Sequence, residues 1–282
     1  MTTRLRGTIA LLVVSTLGAA CTAPGEPTAA STTTITATTT ATATAPTETV
    51  TPSPVTATET ARPAAEPDAA STAVGSSPAL AALGTLAVKG RAPKTGYDRA
   101  QFGQAWSDAV EVDGGRNGCD TRNDVLRRDL TGITLDPGTG GCVVLTGTLQ
   151  DPFTGTTISF VRGQNTSREV QVDHLVALSN AWQTGAQQLG EQRREDFAND
   201  PLNLLAVQGS ANAQKGDGDA ATWLPRTAYR CEYAAGQIAV KQRYDLWVTP
   251  PERDALTRIL GACPGQPLPT PAGTGVPPRG GA

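Results

Sequence analysis

EVQVDHLVALSNAWQTGAQQL, residues 169–189, and FANDPLNLLAVQGSANAQKGDGDAATWLP, residues 197–225, decide the reading of this chain. Alternation over 169–173 puts Val170 and Val172 on one side and predicts a strand ending at Asp173-His174. Residues 175–189 and 191–198 carry helical spacing, and Leu202 to Val207 is a short apolar run that suits a second strand. Ser210 is placed to cap a helix holding Asn212 and Lys215, three apart and therefore on one face. The order is Asp-His at a strand end, Asn203 at a second strand, then Asn-x-x-Lys on a helix. Neighbouring strand residues point to opposite faces, but where the backbone turns Asp173 and His174 can reach one site.

His174 is the one histidine in 282 residues. Multi-His zinc sites, His-x-x-x-His metalloprotease sites and paired-His phosphotransfer are thereby excluded. A base working near neutral pH has one natural candidate. A lone His is more often packed than catalytic, and the polar residues ordered around this one reverse that expectation.

Together with CEYAAGQIAVKQRYDL (231–246) and GCDTRNDVLRRDL (118–130), these segments resemble the HNH nucleases, specifically a secreted, actinobacterial-looking branch with a DUF1524-type domain. The resemblance spans roughly residues 97–263. It implies an α+β fold: a ββα-metal core with added helices and a small β-hairpin. By the same resemblance His174 is the general base that deprotonates water, Asp173 and Asn212 hold a divalent cation, and Asn203 braces the loop and orients the base. Asn212 stands where many relatives have a second His, which makes this an H-N-N variant. An all-oxygen ligand pair favours a hard ion, Mg²⁺ first and Mn²⁺ second. Lys215 is a candidate catalytic residue and phosphate contact, and Arg122 a candidate substrate contact. A phosphodiester is anionic and repels hydroxide, so the chemistry needs both a cation and a neutral base. The implied activity is endonucleolytic hydrolysis on nucleic acid, DNA before RNA, with no obligate protein partner. The alternative is a catalytically inactive, surface-displayed binding module on the same fold.

Elsewhere, a helix is expected over 98–109 with Phe102, Ala105 and Trp106 on one side, then a glycine loop and a short helix over 121–129. Residues 143–149 and 156–161 read as strands about a turn at Asp151, Pro152 and Gly155. Residues 228–244 read as a long helix, and Thr249-Pro250-Pro251-Glu252 as a capping box opening a last one. Arg127 and Arg128 read as a solvated face, and Trp106, Trp182, Trp223 and Trp247 as core.

Arg4 and Arg6, an apolar run over 9–17 and small residues 18–20 describe a signal peptide at 1–20. The apolar run is shorter than the roughly 20 residues a bilayer span needs. Cys21 leaves two outcomes open: lipidation and anchoring on the outer face of the membrane, or release after Ala20. Residues 21–85 read as a disordered Thr/Ala/Pro-rich stalk, 86–263 as the folded domain and 264–282 as a disordered tail. The remaining cysteines, Cys119, Cys142, Cys231 and Cys263, are an even set in an exported chain. Of three connectivities, Cys119–Cys142 with Cys231–Cys263 is favoured because each closes a short loop, contributing roughly 3 kcal/mol. A zinc site lacks its Cys-x-x-Cys pairs. The net charge of −3 gives no large basic footprint, so binding to nucleic acid should be weak and strongly salt-dependent.

Overall fold

The computed structural model describes residues 77–164 and 166–270. The signal-peptide segment, Cys21, the stalk up to residue 76 and the tail beyond residue 270 lie outside the described residues.

Two small antiparallel sheets share one helix. The first runs β1 (Leu130–Leu135), β2 (Val144–Gln150), β3 (Thr157–Val161), in that order. Its β2–β3 turn is closed by Asp151 N–H on Thr156 O and Gly155 N–H on Asp151 O, both at 2.8 Å, with Gly155 at φ 81°. Only glycine takes that conformation without strain. The second sheet pairs β4 (Val170–His174) with β5 (Leu204–Gln208), His174 opposite Leu204. Helix α2 (Thr121–Asp129) starts where the Asp120 carboxylate accepts the Asn123 N–H at 2.9 Å. Its Val125 and Leu126 pack with Val144, Leu149 and Phe160 of one sheet and Val170, Val172 and Leu204 of the other.

The last turn of α2 is not the solvated face expected of it. Arg127 is buried and paired with Asp124. Arg128 donates to Pro201 O at 2.9 Å and Leu204 O at 2.7 Å, while Asp129 accepts the Ala206 N–H at 2.7 Å. Carbonyls at the head of a buried strand need donors, and these side chains supply them.

Between β4 and β5 lie α3 (Leu178–Gln183) and α4 (Glu191–Asn199), and β5 runs straight into α5 (Gly209–Lys215). The result is a ββα unit with a helical insertion between its strands. Phe102, Leu178, Trp182, Phe197 and Tyr244 form the core behind that insertion. The expected helix over 175–189 breaks at Gly185, φ 131°, and Gln208 rather than Ser210 occupies the N-cap of α5, without a side-chain bond. Helices α6 (Arg230–Arg243) and α7 (Pro250–Gly261) complete the domain, α7 opening on the capping box of Thr249 and Glu252.

The folded domain begins earlier than residue 86. Ser77 caps α1 (Pro78–Leu83), whose Ala79, Ala82 and Leu83 bury against Ala234, Ile238 and Leu256 of α6 and α7. Its Pro-Ala-Leu composition resembles the stalk, but its apolar positions recur at helical spacing and find a partner face. Packing also passes residue 263, since the Ala79 N–H donates to Gln266 O at 3.2 Å. The segment 98–109 holds only a 3-10 turn, Arg99–Phe102, ended by Gly103 at φ 74° and Trp106 at φ 61°. A Cβ on Gly103 would fall 2.7 Å from the Glu195 side chain.

Both disulfides pair as expected, with sequence separations of 23 and 32. Loops of that length correspond to about 3–4 kcal/mol each in the chain-entropy model. Among the described residues no helix is long and apolar enough to cross a membrane.

Candidate active site

The turn that follows β4 puts Asp173 and His174 on one cavity. Leu175 N–H donates to Asn203 O at 2.7 Å, and the Asn203 side chain takes the Val176 N–H at 2.9 Å. Its amide donates in turn to Val176 O and Phe197 O, at 3.4 and 3.3 Å. Asn203 is fully buried, and these bonds bend the chain out of the strand directly after His174. Consecutive residues that a straight strand would separate now line the same space.

That space is a polar cavity of about 290 Å³, walled by Arg99, Asp173, His174, Ser179, Asn212 and Asp217. His174 Nε2 lies 2.8 Å from Ala198 O. A carbonyl only accepts, so Nε2 carries the proton and Nδ1 is the basic nitrogen. Burial pushes the imidazole down to about 3, and the cations Arg99 and Lys215 push the same way against the Ala198 bond. The ring is therefore neutral at physiological pH.

Asp173 is buried, and burial raises its carboxyl above the ordinary range while Lys215 pulls it back. The Lys215 ammonium sits 3.2 Å from Oδ1, 3.0 Å from Oδ2 and 2.8 Å from His174 O. The Oδ2 contact lacks hydrogen-bond geometry, so this buried oxygen has a charge partner and no hydrogen-bond donor among the described residues. Asn212 donates its amide N–H to Gln171 Oε1 at 2.9 Å, which leaves its own carbonyl oxygen for the cavity. Asp217, exposed, accepts from Ser179 Oγ at 3.0 Å, and that bond holds its carboxyl below the ordinary range.

Four of the residues singled out in the sequence meet here: Asp173, His174, Asn212 and, behind them, Asn203. Lys215 is close but faces inward: its side chain is 0% exposed. An ammonium committed to Asp173 and a backbone carbonyl is not aimed at a bound phosphate, so its placement supports a positioning role instead. Arg122 is not brought to the cavity. It is half-buried on α2, where burial and the neighbouring Arg162 lower its pKa. The polar cluster beside it is scaffolding: Asn123 accepts the Val144 N–H, and Asp124, raised to about 6 by burial, takes Asn117 and Arg127.

Sequence reasoning missed Arg99, Trp106, Ser179 and Asp217. Gly216 and Gly218 around Asp217 were a legible turn signal. Arg99 and Trp106 carried none, since a long helix was expected over their segment.

Two oxygen donors on this wall, from Asp173 and Asn212, suit a hard divalent ion. Among the described residues no group of three or more His, Cys, Asp and Glu converges on a metal position. Mg²⁺ needs no such group, because it commonly takes one or two protein oxygens and completes its shell with water. Asp173 and Asn212 fit that pattern.

Residues 120–259 match the model of the C-terminal domain of GmrSD restriction endonucleases. Over those residues the chain carries a domain similar to that family. The GmrSD C-terminal domain takes in α2, both sheets and most of α7, and so includes Asp173, His174, Asn203, Asn212 and Lys215 but not Arg99 or Trp106. A relative described as an "Uncharacterized secreted protein" of Arthroderma benhamiae is 37% identical over 190 residues, covering 66% of this chain and 85% of the relative. No solved structure matches the chain. The family ties the domain to a nuclease-related function.

Proposed function

We propose that this protein is an exported, metal-dependent endonuclease that hydrolyses phosphodiester bonds, with His174 as general base and a divalent cation, Mg²⁺ before Mn²⁺, held by Asp173 and Asn212. The observation that carries the reading is the His174 tautomer: a neutral ring, its Nε2–H given to Ala198 O, on a cavity whose wall also includes Asp173 and Asn212. The family model supports the reaction class. Two disulfides and the secreted relative support export, whether the chain is released or held by lipid on Cys21.

His174 Nδ1 takes the proton from the attacking water. Asn203 fixes the turn that aims the ring, and Lys215 holds Asp173 against the end of β4. When bound, a divalent cation supplies the positive charge that offsets the phosphodiester and its leaving oxygen. The partner is nucleic acid, DNA ahead of RNA.

The test uses the purified oxidised protein with plasmid and with single-stranded RNA, in Mg²⁺, Mn²⁺ or EDTA. We expect metal-dependent cutting that falls about 10²- to 10⁴-fold in His174→Ala, the usual contribution of a general base. Equal cutting by the mutant would overturn the assignment. A folded wild type that binds nucleic acid and cuts nothing would identify the inactive binding module instead.

A further inference from the structure

We infer that the apolar cavity on the other side of His174 is a subsite for one unstacked nucleobase, adjoining the phosphate position, and that the protein therefore acts on single-stranded nucleic acid in preference to duplex. This rests on the nuclease reading for its reaction, but its binding claim stands separately.

The cavity measures about 250 Å³, and Phe102, Trp106, Leu178 and Ala198 give it apolar walls. It shares His174, Leu178 and Arg99 with the polar cavity, so the two adjoin across the imidazole. A ligand filling both needs a flat apolar part beside an anionic part. A nucleotide has that composition. The volume is below the roughly 300–1,000 Å³ of sites for drug-sized ligands, which suits a single ring system.

Trp106 packs against the core around α2 and also forms part of this wall. It is half-buried, and its backbone sits at φ 61°, a region that bulky residues rarely enter and that marks strain held for a purpose. The N-terminal turn of α2 holds it there: the Thr121 N–H donates to Trp106 O at 3.3 Å, and the Thr121 hydroxyl to Ser107 O at 2.7 Å. The indole plane lies within 14° of the His174 ring, with centroids 6.3 Å apart. Aromatic faces are the usual platforms for unpaired bases, largely irrespective of sequence.

Arg99 supplies the charge. It is exposed and lines both cavities, its side chain has no hydrogen-bond or ion-pair partner among the described residues, and its charge is felt at Asp173 and His174. A free guanidinium there suits the phosphate linking a base in the apolar cavity to the bond beside His174. Entry of a base requires that it leave its stack and its pair, so duplex should be the poorer substrate.

The deciding experiment measures equilibrium binding in EDTA, by calorimetry, of thymidine 5′-monophosphate and of the base-free ribose 5-phosphate. We expect wild type to bind the nucleotide at least about ten-fold tighter than the base-free phosphate. Trp106→Ala should erase that difference, Trp106→Phe should retain most of it, and Arg99→Gln should weaken both ligands. Equal binding of the two ligands by wild type overturns the subsite even if Trp106→Ala fails to fold. A parallel cleavage arm compares single strands with plasmid duplex in Mg²⁺. Cutting without strand preference, unchanged in Trp106→Ala, also overturns it. Absence of any cutting sinks the nuclease reading alone, because the binding comparison still decides what the cavity holds.

Discussion

Two buried lysine–carboxylate pairs in this molecule have the same parts and different surroundings. Lys241 reaches Glu252 at 2.8 and 3.0 Å and donates to Trp247 O at 3.0 Å. Lys215 reaches Asp173 at 3.0 and 3.2 Å and donates to His174 O at 2.8 Å. The first pair joins α6 to the head of α7, where Glu252 also closes the capping box by accepting the Thr249 N–H. Protein surrounds it, and burial lowers the Lys241 ammonium. The second pair backs onto a polar cavity, and there burial raises the carboxyl instead. A pair enclosed on all sides is a bolt, whereas a pair with one open edge holds a carboxylate ready for something else. Desolvation is common to both, and the open edge decides the role.

The largest effect should come from breaking the bolt. Lys241→Met strands the Glu252 charge and should lower stability by about 3–5 kcal/mol, read from the denaturant midpoint, with activity per folded molecule unchanged. A loss below about 1 kcal/mol would mean that the enclosed pair is not structural. Lys215→Met should cost less, about 1–3 kcal/mol, because cavity water can solvate Asp173. It should also gain more from added Mg²⁺ in a thermal melt than wild type does. An identical Mg²⁺ response in both would remove the distinction between the pairs.

A smaller effect separates the two regions by pH. The His174 pKa is pushed down to about 3 in the folded chain, from 6.5. The unfolded chain therefore takes up a proton between pH 6.5 and 3 that the folded chain refuses, and stability contributed by the neutral ring is lost as pH falls through that window. Going from pH 7.5 to 5.5 should lose about 1 kcal/mol in wild type and nothing by this route in His174→Gln. Equal slopes in the two proteins would show that the ring is not held neutral by its burial.

Much of the site was legible because its residues are close in sequence and its strands alternate. Asp173, His174, Asn203 and Asn212 are brought together by one ββα unit, and the strand pattern of 169–173 named the inward valines correctly. The capping box of α7 was legible for the same reason, being a local bond pattern. Misreadings arose where distant contacts overrode local preference. The 98–109 helix fails at Gly103, where the Glu195 side chain from α4 lies against the backbone. Arg128 looks solvated until Pro201 and Leu204 bring their carbonyls to it, and Arg127 until burial pairs it with Asp124. Strand β1 was not anticipated: its pattern is broken by Gly132, and it forms by pairing with β2.

The sequence by itself determined that one imidazole is available for acid–base chemistry, that four cysteines form an even set, and that Asp-His, Asn and Asn-x-x-Lys succeed one another across two strands and a helix. Tertiary structure alone decided which way each side chain faces. It turned Lys215 inward onto Asp173, set Arg122 away from the cavity, made Ala198 O the partner that fixes the His174 tautomer, and set Trp106 and Arg99 beside the ring from outside the matched domain. The physical reason is range: propensity and periodicity act over a few residues, while burial, charge pairing and tautomer depend on groups tens of residues away that only the packed chain brings near.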